Sequence, residues 1–133
     1  MRVRELDKPA NRWCPHCEIG EGCRIYAERP HTCRVFECVW LQTQRGRQPL
    51  ALELRPDRSH VVMTTANAGE DIVLNVGPDR PDAWKRGAIG GLVARMLADG
   101  ITVLVKCGAR IERVQFDPET GAVRTVALAR SAR

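Results

Sequence analysis

Five of the six cysteines lie between Cys14 and Cys38, in the order C-x2-C-x5-C-x9-C-x4-C. A segment this rich in thiols and this poor in large aliphatic side chains is a weak basis for a hydrophobic core. Soft, deprotonated ligands converging on one point are what zinc and iron require, and the turn between Cys14 and Cys17 can aim both sulfurs the same way. Cys33 and Cys38 form a looser pair, and Cys23, preceded by Gly22, stands between the two pairs. Pro15, Gly20, Gly22 and Pro30 exclude a long helix before residue 30, so this head reads as loops wrapped around a metal. Buried free cysteines, a disulfide framework and a redox Cys-x-x-Cys account for the pattern less well. The first needs an apolar surround, the second an oxidising compartment, and the third a βαβ context that the neighbouring sequence does not offer.

A chain of 133 residues supplies one domain. We divide it into a cysteine-rich head, 1–47, and a body, 48–133. Hydrophobic residues at 44% and charged residues at 28% are the balance of a globular protein. No apolar run reaches the roughly 18 residues of a membrane span, and the charged segment 1–13 has no secretory or transit pattern, so a cytoplasmic location without membrane attachment is expected. The formal charge of +5 raises nucleic acid as a partner. It is not clustered: nine basic residues face six acidic ones up to Arg47, and twelve face ten after it. Nucleic-acid binding is therefore not expected.

The body carries clear periodicity. His60–Thr65 and Asp71–Val76 read as strands joined by a turn at Asn67, Ala68 and Gly69. Asp82 to Asp99 carries a broad helical face with Trp84, Leu92 and Met96, capped by Asp82 and stopped by Gly100. Gly90 and Gly91 inside it are expected to allow close packing on the sheet or the head. Ile101–Cys107, Ile111–Phe116 and Ala122–Leu128 are three further strands, the last two joined by the turn DPETG. The order β-β-α-β-β-β predicts an α+β fold, one long helix on a mostly antiparallel sheet. In the head, HTCRVFECVWLQ predicts a short helix after Pro30. Tyr26, Phe36 and Trp40 are expected to seat the head on the body. Cys107 belongs to the apolar face of its strand.

The block GCRIYAERPHTCRVFECVWL, Gly22 to Leu41, resembles the signature of a bacterial family of zinc- or iron-chelating cysteine-cluster proteins of the CxxCxCC type, which runs Cys-x-Ile-Tyr, Arg-Pro, Cys-Arg-x-Phe, Cys. The matching positions are Cys23, Ile25, Tyr26, Arg29, Pro30, Cys33, Arg34, Phe36 and Cys38. The resemblance implies Cys14, Cys23, Cys33 and Cys38 as ligands. This chain lacks the adjacent Cys-Cys pair of larger members, which leaves Cys17 as an alternative or additional ligand. His16, His31 and His60 are weaker candidates, and Arg29 and Arg34 are candidate hydrogen-bond donors to thiolate sulfur.

A site filled by four cysteines is closed and supplies folding energy without an open position for substrate. No Ser-His-Asp set, paired-carboxylate motif, phosphate loop or dinucleotide fingerprint accompanies it, so no catalytic residue is assigned. The leading expectation is a metal-binding protein with a structural zinc site. Two alternatives remain: an iron–sulfur protein in electron transfer or protein modification, and a metal-organised module that binds another protein.

Overall fold

The computed structural model describes residues 2–9 and 14–128. In the head, β1 (Cys17–Glu18) and β2 (Gly22–Cys23) form a small antiparallel hairpin. Two short helices follow, α1 (His31–Val35) and α2 (Val39–Thr43). A single turn, α3 (Pro56–Ser59), leads into the body, which consists of β3 (Val61–Ala66), β4 (Asp71–Val76), α4 (Gly87–Ala98), β5 (Thr102–Cys107), β6 (Arg110–Phe116) and β7 (Val123–Ala127).

The body strands make one five-stranded sheet in sequential order β3-β4-β5-β6-β7. Asn67 and Ala68 take left-handed φ values of 52° and 57°, as a tight hairpin turn requires, and so hold β3 antiparallel to β4. Gly108 does the same between β5 and β6 at φ 61°. The β6–β7 turn is closed by the Asp117 carboxylate, which accepts the backbone N–H groups of Glu119 and Thr120. Only β4 and β5 run parallel, and α4 is the crossover that such a pair needs. The α+β class and the mostly antiparallel sheet are therefore as the periodicity predicts.

Strand alternation puts Val61, Met63, Leu74, Val76, Val103, Val105 and Val114 on one face, where they bury against Ile89, Val93 and Met96 of α4 and against Trp84. Those three helical positions repeat at i, i+4, i+7, the stripe of a helix lying on a sheet. Cys107 packs at the edge of the same core.

Two helical expectations are corrected. The segment from Asp82 is not one helix: a 3₁₀ turn, Ala83–Lys85, buries Trp84, Arg86 is extended (φ −111°, ψ 151°), and α4 starts only at Gly87 with φ 58°. The helix after Pro30 is likewise split, because Phe36 and Cys38 are extended (ψ 127° and 166°). A continuous helix would place Val35 and Val39 on one stripe. The break instead lets Val39 and Trp40 pack on the core while Val35 faces solvent.

The paired glycines of α4 also differ from expectation. A Cβ on Gly90 would lie 2.6 Å from the Lys85 carbonyl oxygen, so the close approach is to the preceding 3₁₀ turn and not to the sheet. Gly91 faces open space. Gly91→Ala should therefore raise stability by up to about 1 kcal/mol through helix propensity. Gly90→Ala should lower it despite the same propensity gain, and urea midpoints of the two variants provide the check.

Candidate metal centre

Cys14 and Cys17 bracket a tight turn in which the Cys17 N–H donates to the Cys14 carbonyl at 2.9 Å. The chain then enters the hairpin, where Cys17 stands directly opposite Cys23. Gly20 (φ 89°) and Gly22 (φ 117°) make the return possible, since both conformations are strained for any residue with a Cβ. The Arg24 N–H closes the hairpin onto the His16 carbonyl at 2.9 Å. Turn and hairpin thus place Cys14 just before the strand pair that sets Cys17 across from Cys23.

Cys33 arrives from α1, and the N-terminal segment fixes that helix. The Glu5 carboxylate accepts both the Thr32 N–H (3.0 Å) and the Thr32 hydroxyl (2.7 Å), satisfying a free donor in the first turn of α1. These bonds lower the Glu5 pKa. The segment folds back on itself through the Val3–Lys8 bridge and buries Val3. Lys8 is only 9% exposed, donates from Nζ to the Pro9 carbonyl, and lies in the field of Cys14 and Cys33. Burial lowers the lysine pKa, and negative charge on those two sulfurs raises it.

The thiols sense one another. The Cys17 pKa is raised by burial, then by Asp57 and by the sulfurs of Cys14 and Cys23, with Arg55 opposing. The Cys33 pKa is raised by burial, then by Cys14, Cys23 and Glu5, with Arg29 opposing. Cys14 and Cys23 therefore act on both Cys17 and Cys33. Among the described residues, no three His, Cys, Asp or Glu side chains are already gathered as a finished metal-binding group. The donor set nevertheless has the chemistry of zinc or iron: soft sulfur ligands in a tight turn, a cross-strand pair and a nearby helix.

Cys38 is buried at the start of α2. All six cysteines are free thiols. Arg29 and Arg34 do not donate to sulfur: Arg29 reaches the Tyr26 carbonyl and stacks on its ring, and Arg34 donates to the Arg29 carbonyl. Tyr26 is 63% exposed, so it does not seat the head. That role belongs in part to Trp40, which packs on the core and donates from Nε1 to the Ala51 carbonyl. Phe36 lies outside the core contacts.

The other part of the joint was not foreseen. The Gly20 N–H, at the hairpin tip, donates to buried Asp57 Oδ2 at 3.0 Å. Arg55 holds the same carboxylate through Nε (2.5 Å) and Nη2 (2.7 Å), and Arg55 and Arg58 both donate to the Gly20 carbonyl. An Arg-x-Asp placed before a strand gives no sequence signal for such a clamp, because its partner is a backbone group 37 residues away. Chiefly through Arg55, the clamp lowers the Asp57 pKa. Its contribution to stability is complete above the unfolded carboxylate pKa, about 3.9, and is lost as pH falls through the lowered folded value. Asp57→Asn should therefore destabilise the protein at neutral pH and flatten the acid limb of stability against pH, as read by urea midpoints from neutral pH down to about pH 2.

No protein-family model, curated protein or solved structure matches the chain. Among the described residues no helix is long and apolar enough to cross a membrane.

Proposed function

We propose that this chain is a small metal-binding protein whose head folds around one zinc ion held by thiolates drawn from Cys14, Cys17, Cys23, Cys33 and Cys38. The observation that carries the reading is the shared neighbourhood of Cys14, Cys17, Cys23 and Cys33, with Cys17 opposite Cys23 on the hairpin. Cys38, buried at the start of α2, completes the five candidates. The resemblance of Gly22 to Leu41 to the cysteine-cluster family supports the same chemistry. Zinc bound in this way would neutralise thiolate charge and cross-link a segment with little apolar core of its own. A closed site of this kind is structural and leaves no position for substrate.

Cobalt replacement tests the reading. Co²⁺ added to reduced, metal-free protein should give the intense near-ultraviolet bands of thiolate coordination and the visible bands of a tetrahedral site. Cys17→Ser and Cys33→Ser should weaken these bands strongly, and Cys107→Ser should leave them unchanged. Octahedral spectra without thiolate bands would overturn the proposal. A brown protein with labile sulfide after anaerobic purification would replace it with the iron–sulfur reading.

A further inference from the structure

The five-stranded sheet has two faces, and among the described residues α4 and the buried core lie on one of them. On the other, the strand registers define a continuous row from β3 to β7, Thr64–Val73–Leu104–Arg113–Val126. Beside it runs a second row, Val62–Asn75–Lys106–Ile111. Neighbouring positions thus alternate aliphatic with cationic: Leu104 beside Arg113, Lys106 beside Ile111. Ile111 is 40% and Val126 42% exposed, and none of these aliphatic residues packs with the core. The Asn75 amide is committed within the sheet, donating to the Val62 carbonyl at 2.8 Å and the Thr64 hydroxyl at 3.0 Å.

Charge distinguishes the face further. Neither Lys106 nor Arg113 forms an ion pair among the described residues, whereas Arg124, on the same face, lies 3.8 Å from Asp117. Asp71 is the one carboxylate among the strand residues of this face, and it stands at the end of β4 remote from Lys106. An aliphatic surface studded with uncompensated cations is matched by an apolar stripe flanked by carboxylates. Alternation also places Phe116 and Val123 on the core side, so the strand residues of the open face offer no aromatic ring for base stacking. A few cations without stacking platforms suit a protein partner better than a nucleic acid.

We infer that the open face of the sheet is a docking surface for an acidic amphipathic helix of a partner protein. Its aliphatic stripe covers Val73, Leu104, Ile111 and Val126, and its carboxylates pair with Lys106 and Arg113. The helix completes the layer that α4 supplies on the opposite side, the usual way of burying a half-covered sheet. The inference does not depend on metal binding.

The test uses the full chain and a fluorescent helical peptide with leucines at i, i+3, i+4 and i+7 and glutamates elsewhere. Anisotropy should show saturable binding that is absent when lysines replace the glutamates. Lys106→Glu combined with Arg113→Glu should weaken binding by about tenfold or more, as expected when cations are reversed at a charged interface. Arg86→Glu, remote from the face, should not weaken it. All four altered side chains are exposed or partly exposed, so Leu104→Gln, also predicted to weaken binding, provides an apolar counterpart whose fold is checked by circular dichroism. No binding by the unaltered chain, equal binding by the charge-reversed variant, preferential binding of single-stranded RNA at this face, or a dimer that closes the face at working concentration would each overturn the inference.

Discussion

Chelation of the metal is expected to release the head while the sheet stays folded. Among the described residues of the head the buried hydrophobic side chains are Val3 and Cys38, whereas the body buries a continuous cluster from Leu54 to Val114. The hairpin and the two short helices are each below the length at which such elements are stable alone. On the proposed function, the metal adds the cross-link these elements lack, and apparent zinc binding energies of about 10–16 kcal/mol in small peptides are ample for that. After chelation under reducing conditions, amide hydrogen exchange should become fast from Cys14 to Val35 and remain slow in β3, β4 and β5. Cys23→Ser should give the same pattern without chelator, and Cys107→Ser should not. The Asp57 clamp ties the hairpin tip at Gly20 to the body, while β2 and α1 lie in the loop between these two residues, so protection should fall there and not in the sheet.

The second large effect belongs to the body. Leu74 has no exposed surface and sits where β4 meets α4 and the β3 side chains Val61 and Met63. Leu74→Ala removes three buried carbon atoms and leaves a cavity that flanking β-branched residues fill poorly. The expected loss is about 3 kcal/mol, close to a 10 °C fall in melting temperature for a domain of this size, roughly 3 °C per kcal/mol. Val73→Ala, one residue away on the open face, should cost less than about 1 kcal/mol. A ratio near unity between these two variants, measured by urea denaturation, would show that the core has been placed on the wrong face of the sheet.

β-rich runs at 60–65 and 71–76 and period-2 alternation at 101–107 made the sheet legible, because a half-buried strand repeats its apolar residues every second position. The turns at Asn67 and Asp117 were legible for the same local reason, each being set by residues with a strong conformational preference. The helix boundary at Gly87 was not, since Asp82 is a good capping residue and only tertiary burial of Trp84 reveals the 3₁₀ turn. The break at Phe36 also depends on what lies beneath Val39 and Trp40, which is not a local property. For the site, spacing marked the five clustered cysteines as a group, but it did not show the hairpin register that sets Cys17 across from Cys23 or the burial of Cys38 at the start of α2, because both depend on how the head folds. The Asp57–Gly20 clamp left no trace in the sequence, because the acceptor side chain is ordinary and the donor is main chain.

The central claim is that the head is built around a metal. Elemental analysis of untagged protein, purified without chelator and quantified per chain, tests it most directly. The account predicts one zinc per chain, retained through gel filtration, lost in Cys17→Ser and Cys33→Ser, and kept in Cys107→Ser. Protein that is folded in its head yet carries no metal, with its thiols free or paired as disulfides, would contradict it.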